Sequence, residues 1–134
     1  MAIVALDGED RVLLVRQTRA GAGGPTVELP AGCLEPGETP LAAAVRELRE
    51  ECSTAAADWR ALGSFWVVPA YSTERVHVFA AHGLTADPGV ADPDEDIVVE
   101  LRPVAELPAG LSDATSIAAF ALWAASTAPR EGLH

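Results

Sequence analysis

The residues Arg46-Glu47-Leu48-Arg49-Glu50-Glu51 place three carboxylates on little more than one helical turn, in a chain whose formal net charge is already -11. At about 100° per residue, Glu47 and Glu51 stack at i, i+4 and Glu50 sits beside them. Like charges at that spacing destabilise an isolated helix by about 0.2–0.5 kcal/mol per pair, which Arg46 and Arg49 offset in part. Two readings follow. One is a solvated face laced with intrahelical ion pairs. The other is a divalent-cation site, since Mg²⁺ takes oxygen ligands and is commonly held by one or two carboxylates together with substrate phosphate. The helix alone does not separate them.

The elements that position these carboxylates are legible around them. "TPLAAAVRELREEC" reads as a helix, with Thr39 as its N-cap and Pro40 at the first position, where a missing N–H costs nothing. Leu41, Val45, Leu48 and Cys52 form an apolar stripe expected to face the core. Upstream, "AIVAL" and "RVLLVRQT" around the turn "DGED" predict a β-hairpin. The loop "RAGAGGPT", a short extended "VELP" and the loop "AGCLEPGE" lead into the helix. Downstream lie strands "ALGSFWVVPA" and "ERVHVFAAHG", the acidic loop "LTADPGVADPDED", the strand "IVVELRPV" and a closing helix "SDATSIAAFALWAAST" capped by Ser112 or Asp113. Strands on both sides of a central helix, with a second helix at the end, predict an α/β fold: a mixed sheet sandwiched between helices.

Composition bounds the rest. At 134 residues the chain reads as one domain, 1–134, large enough to bury a core unaided. No apolar run approaches the roughly 20 residues of a membrane span. The start "MAIVALDGED" carries no signal-peptide pattern, so a cytoplasmic protein is expected. Cys33 and Cys52, with His77, His82 and His134, form no zinc spacing. Twenty acids against nine bases argue against binding a nucleic-acid polymer. A small phosphorylated ligand stays open to an acidic protein, given metal ions or well-placed arginines.

The residues ahead of the helix decide between its two readings. In "GCLEPGETPLAAAVRELREECST", Gly32, Glu38, Arg46, Glu47, Glu50 and Glu51 match the six fixed identities of G-x5-E-x7-R-E-U-x-E-E. Each match has a chance on the order of one in fifteen from average composition. The chain resembles the Nudix hydrolases, whose box continues x-G-U; Ser53 and Thr54 stand at that glycine and aliphatic position. A glycine just past a helix end commonly serves the chain's exit, so these two changes are expected to alter exit geometry and not the carboxylates. The resemblance implies hydrolysis of a nucleoside diphosphate linked to X, with Mg²⁺ or Mn²⁺ as cofactor. It makes Glu47 and Glu51 metal ligands and Glu50 a further ligand or bridge. Arg46 would orient a glutamate by ion pairing, and Glu38 would fix the loop against the helix.

Beyond the box, "RQTRAGAGGPTVELPAG" is similar to the lead-in of the ADP-ribose pyrophosphatase branch. The likeness implies that Arg19, Glu28 and Gly32 belong to the substrate site and that Ala31 offers a carbonyl to a metal. Pro69, fifteen residues after Thr54, sits near the spacing associated with ADP-ribose hydrolysis. Tyr71 lies where dinucleoside-polyphosphate hydrolases tend to carry a tyrosine. Glu95, in an acidic loop resembling one that supplies a further glutamate, is a candidate ligand or base, with Asp94 the alternative. Members of the branch commonly build a homodimer through an N-terminal strand region, which makes a homodimer an assembly to look for. Trp59, Trp66 and Trp123 read as core or surface filling, with base stacking as the alternative. The expected substrate is a small nucleotide, ADP-ribose first, then nucleoside triphosphates or dinucleoside polyphosphates. A Nudix-fold sensor without hydrolysis is the remaining reading.

Overall fold

The computed structural model describes residues 1–88 and 96–129. Along them run β1 (Ala2–Ala5), β2 (Arg11–Arg19), β3 (Gly24–Glu28), α1 (Pro40–Cys52), β4 (Thr54–Trp66), β5 (Arg75–Ala86), β6 (Val98–Pro103) and α2 (Ala114–Thr127). Two three-stranded sheets result, ordered β1-β5-β4 and β3-β2-β6. The first is mixed, with β1 parallel and β4 antiparallel to β5; the second is antiparallel.

Every residue of β1 is buried, as its unbroken apolar run requires of a strand covered on both faces. Alternation splits those residues between two cores. Ala2 and Val4 join Val78, Ala119 and Phe120 on the α2 side, while Ile3 and Ala5 join Phe79, Ala44 and Leu48 on the α1 side. The mixed sheet thus lies between the two helices, the expected α/β/α sandwich. No helix among the described residues is long and apolar enough to cross a membrane.

Three local expectations change. The hairpin of β1 and β2 reduces to one bridge, Leu6 to Val12, because β3 and β6 occupy both edges of β2 and β1 pairs with β5. On α1, Leu41 and Val45 are 42% and 47% exposed, and Ala43 and Ala44 take the core face with Leu48 and Cys52. Small alanines let the helix approach the sheet more closely than a leucine and valine stripe would. Finally, β4 begins at Thr54, directly after α1, well before the expected strand.

Helix starts follow the sequence. The Thr39 hydroxyl accepts from Ala42 N, and the Asp113 carboxylate accepts from Ser116 N. At its other end α1 leaves through Ser53, held at φ 48°, ψ 40°, the left-handed conformation a glycine adopts without steric cost. Trp59 packs edge-on against Phe79, and Trp123 lies against Phe120, so both fill the fold as expected. Trp66 is exposed beneath the Arg75 guanidinium.

Candidate active site

Arg46 is the hub of the loop-helix junction. Its Nε and Nη2 donate to the two Glu38 oxygens at 2.9 and 3.0 Å, a bidentate grip. Nη1 donates to Glu47 Oε1 at 2.9 Å and Glu50 Oε2 at 3.0 Å, and Nη2 also reaches the Cys33 carbonyl at 2.9 Å. One guanidinium therefore ties the 33–38 loop, through Glu38 and the Cys33 carbonyl, to Glu47 and Glu50 of α1, the arrangement for which Arg's planar fork is suited. Bonding to Arg46 holds the Glu38 carboxyl below its ordinary pKa, and the same bonds raise that of Arg46.

The segment before the loop is clamped to β1: Pro30 O accepts from Ile3 N at 2.9 Å, and Gly32 N donates to Met1 O at 3.2 Å. Ala31, bridged to Ala2, therefore turns its own N–H and C=O away from β1. That N–H donates to Glu51 Oε2 at 3.1 Å. At Gly32 a methyl group would overlap the Glu47 carboxylate, which explains a glycine at a position where φ demands none.

The start of α2 and its lead-in are stitched to β3. Ser112 Oγ accepts from Val27 N at 2.8 Å and Ser116 Oγ from Leu29 N at 2.9 Å. Glu28, between those anchors, is only 7% exposed. Arg19 on β2 grips it through Nε at 3.0 Å and Nη2 at 2.8 Å, and Thr26 Oγ1 donates at 2.6 Å. The Arg19 bonds hold the Glu28 carboxyl below its ordinary range, against the opposing effect of burial.

These pieces meet in a cavity of about 390 Å³ lined by Glu47 and Glu51 of α1, Glu28, Arg19 and Gln17, the Ala31–Cys33 segment, Glu74 and Asp113 among others. Arg19, Glu28, Ala31, Gly32, Glu47 and Glu51, all singled out from sequence, are brought together here. Arg46 and Glu50 do not line the cavity, though Arg46 bonds Glu47, which does; Pro69 and Tyr71 also lie outside it, on a turn where Tyr71 is 84% exposed. Glu95 and Asp94 lie outside the described residues. Glu74 was missed; it sits in the stretch "VPAYSTERVHVFAA", and only β5 carries it to the cavity. Asp113 was foreseen as a cap and not as a cavity wall.

A family model described as "NUDIX domain" matches residues 1–121. The chain belongs to the Nudix family. The methanol dehydrogenase activator of Bacillus methanolicus is 37% identical over 101 residues, 75% of this chain and 55% of that protein. The ADP-ribose pyrophosphatase of Bacillus subtilis (strain 168) is 36% identical over 104 residues, 78% of this chain and 56% of that protein. The chain thus spans about half the length of these curated relatives. A crystal structure of an ADP compounds hydrolase superposes with a TM-score of 0.82 at 23% identity, over 93% of this chain and 71% of that one. That likeness speaks for the Nudix fold.

The donor set suits a hard cation. Glu47 and Glu51 present carboxylates to the cavity beside the Ala31 backbone, and the absence of a side chain at Gly32 lets the Glu47 carboxylate lie against that segment. Among the described residues no three His, Cys, Asp or Glu side chains already stand grouped to hold an ion. Glu47 and Glu50 lean on Arg46, and Glu51 leans on the Ala31 amide.

Proposed function

We propose that this chain hydrolyses the pyrophosphate of a nucleoside diphosphate linked to X, cleaving ADP-ribose to AMP and ribose 5-phosphate. The cavity carries this reading. Carboxylates from α1, β3, the residue before β5 and the lead-in to α2 line, together with Arg19, a space sized for a small nucleotide fragment. A pyrophosphate could not approach so acidic a wall unaided. The relatives named above include an ADP-ribose pyrophosphatase, and the lead-in around Arg19 and Glu28 resembles that branch.

Glu47, Glu51 and the Ala31 carbonyl, with Glu50 as a further ligand, would hold Mg²⁺ or Mn²⁺, which would supply charge neutralisation and an acidified water. The chain's own residues do the rest. Arg46 fixes the direction of the Glu47 and Glu50 carboxylates and holds the loop through Glu38. Glu28, kept ionised by Arg19, acts at neutral pH as a clamp and not as a proton donor; it sets the plane of the Arg19 guanidinium toward phosphate. Gly32 leaves room for Glu47, and Pro69 shapes the turn beyond the cavity rim. Glu95, with Asp94 as the alternative, takes the proton of the attacking water. As water oxygen bonds to phosphorus, the bridging P–O bond breaks and its electrons leave with the second phosphate. Cys33, exposed, and Cys52, buried, are free thiols, which suits a reducing, cytoplasmic compartment.

The test is a Mg²⁺-supplemented assay of the purified chain against ADP-ribose, nucleotide sugars, dinucleoside polyphosphates and nucleoside triphosphates. Preferred release of AMP from ADP-ribose supports the proposal. Preferred turnover of a triphosphate would replace the substrate, and no turnover of any would sink the enzymatic reading.

A further inference from the structure

Most arginines of this chain are tied to an acid. Arg11, Arg16, Arg19, Arg46, Arg49 and Arg102 each pair with a carboxylate, and the chain has no lysine. Among the described residues only Arg60 and Arg75 form no ion pair. Arg60 ends on α2, where its Nη2 donates to Ser126 Oγ at 3.0 Å. Arg75 is held by neutral groups alone. Its Nε and Nη2 donate to Ser64 Oγ at 3.0 and 2.7 Å, and its guanidinium carbon lies 5.4 Å from the centre of the Trp66 ring. In a chain of net charge -11, an exposed arginine with no carboxylate bonded to it is the exception.

Strand register puts Arg75 next to the candidate active site. Its chain neighbours Glu74 and Val76 line the cavity. Between β1 and β5, Ile3 pairs with Phe79, and both belong to the core under α1. Alternation places His77 and Arg75 on that same face, the one covered by the helix that carries Glu47 and Glu51. The register of Ala2 with Val78, carried back one residue, sets the cavity residue Met1 beside His77. Arg75 lies about 7 Å further along the strand, a distance an extended arginine side chain covers.

The holds on Arg75 are easily exchanged. An exposed cation–π contact is weak, and a hydroxyl gives up a neutral hydrogen bond to water at little cost. A bidentate bond to phosphate is charge-assisted on both sides. The carboxylate-bound arginines lack this asymmetry, because a departing guanidinium leaves an unpaired acid behind. Arg19, the arginine already in the cavity, has Nε and Nη2 engaged on Glu28.

We propose that Arg75 is a phosphate-binding residue of this site, parked on Trp66 and Ser64 and turned to the cavity mouth by the pyrophosphate of the substrate. The proposal rests on the pyrophosphohydrolase reading above and adds a residue to it. The probe is methylenediphosphonate, a pyrophosphate mimic whose P–C–P link resists hydrolysis, titrated with Mg²⁺ by calorimetry and by tryptophan emission. The wild-type chain binds it, and emission changes as the guanidinium leaves the Trp66 ring. Arg75→Gln weakens binding about tenfold or more, and Arg75→Lys, which keeps the charge, recovers part of the loss. Trp66→Phe keeps the affinity within about threefold and loses the emission change. No binding by the wild-type chain, binding unaffected by Arg75→Gln, or an emission change that survives Trp66→Phe would each overturn the proposal. Where Arg75→Gln loses its far-UV circular dichroism, Arg75→Met replaces it, since its apolar stem still covers the indole, and the same two outcomes decide. Failed hydrolysis of ADP-ribose beside Arg75-dependent binding would sink the substrate reading alone, and Arg75-independent binding would sink this residue alone.

Discussion

The Arg46 guanidinium holds the Glu38 carboxylate by two parallel hydrogen bonds, and through its remaining nitrogen it restrains Glu47 and Glu50. A lysine keeps the charge but offers no planar fork. Arg46→Lys is therefore expected to lower unfolding free energy by about 1–3 kcal/mol, measured by urea titration, and turnover at least tenfold. Wild-type stability and turnover in this variant would show the fork to be dispensable.

Gly32→Ala isolates the placement of Glu47. The added methyl group meets the end of a flexible side chain and not backbone, so the carboxylate moves and the fold stays. Turnover should fall by about tenfold or more, with a raised Mg²⁺ requirement, while stability changes by less than about 1 kcal/mol. A variant with unchanged Mg²⁺ dependence would separate Gly32 from the cation site.

Ser53 occupies a left-handed conformation at the end of α1, with its N–H bonded to Arg49 O and its C=O accepting from Asp87 N at 2.8 Å. Ser53→Gly removes the Cβ conflict and keeps those bonds, so it should stabilise the chain by about 0.5–1 kcal/mol. The urea midpoint should rise while turnover stays unchanged. A destabilised variant would mean that the serine contributes more than its backbone.

Glu28 makes stability depend on acid. Its folded pKa is lowered from the ordinary 4.5 chiefly by the Arg19 hydrogen bonds. Below 4.5 the unfolded chain takes up this proton before the folded chain does, so the stabilisation is complete above that pH. It drains away as pH falls through the lowered folded value. Glu28→Gln should flatten the acid limb of a stability-versus-pH curve below about pH 4.5. An unchanged limb would assign the acid sensitivity to other carboxylates.

The site was more legible than the packing around it. Fixed spacing from Gly32 through Glu51 is local, so the pairing of Glu38, Arg46 and Glu47 could be expected from one loop and one helix. Leu41 and Val45 misled because periodicity defines stripes without saying which one meets the sheet, and the alanines that do meet it are weakly hydrophobic. Hairpin chemistry at "DGED" was read without the competition from β3 and β6 for the edges of β2. Glu74 and Asp113 reach the cavity only through tertiary folding of β5 and the lead-in to α2, which no short-range pattern records.

The most direct measurement is AMP release from ADP-ribose with Mg²⁺, comparing the wild-type chain with Glu51→Gln at matched stability. Glu51 lines the cavity and accepts from the Ala31 amide, a bond that a glutamine oxygen also makes. Loss of one carboxylate charge there should lower turnover by orders of magnitude while the urea midpoint stays nearly unchanged. Turnover within about threefold of wild type at the same midpoint would contradict a cation site at Glu51 and the hydrolytic account built on it.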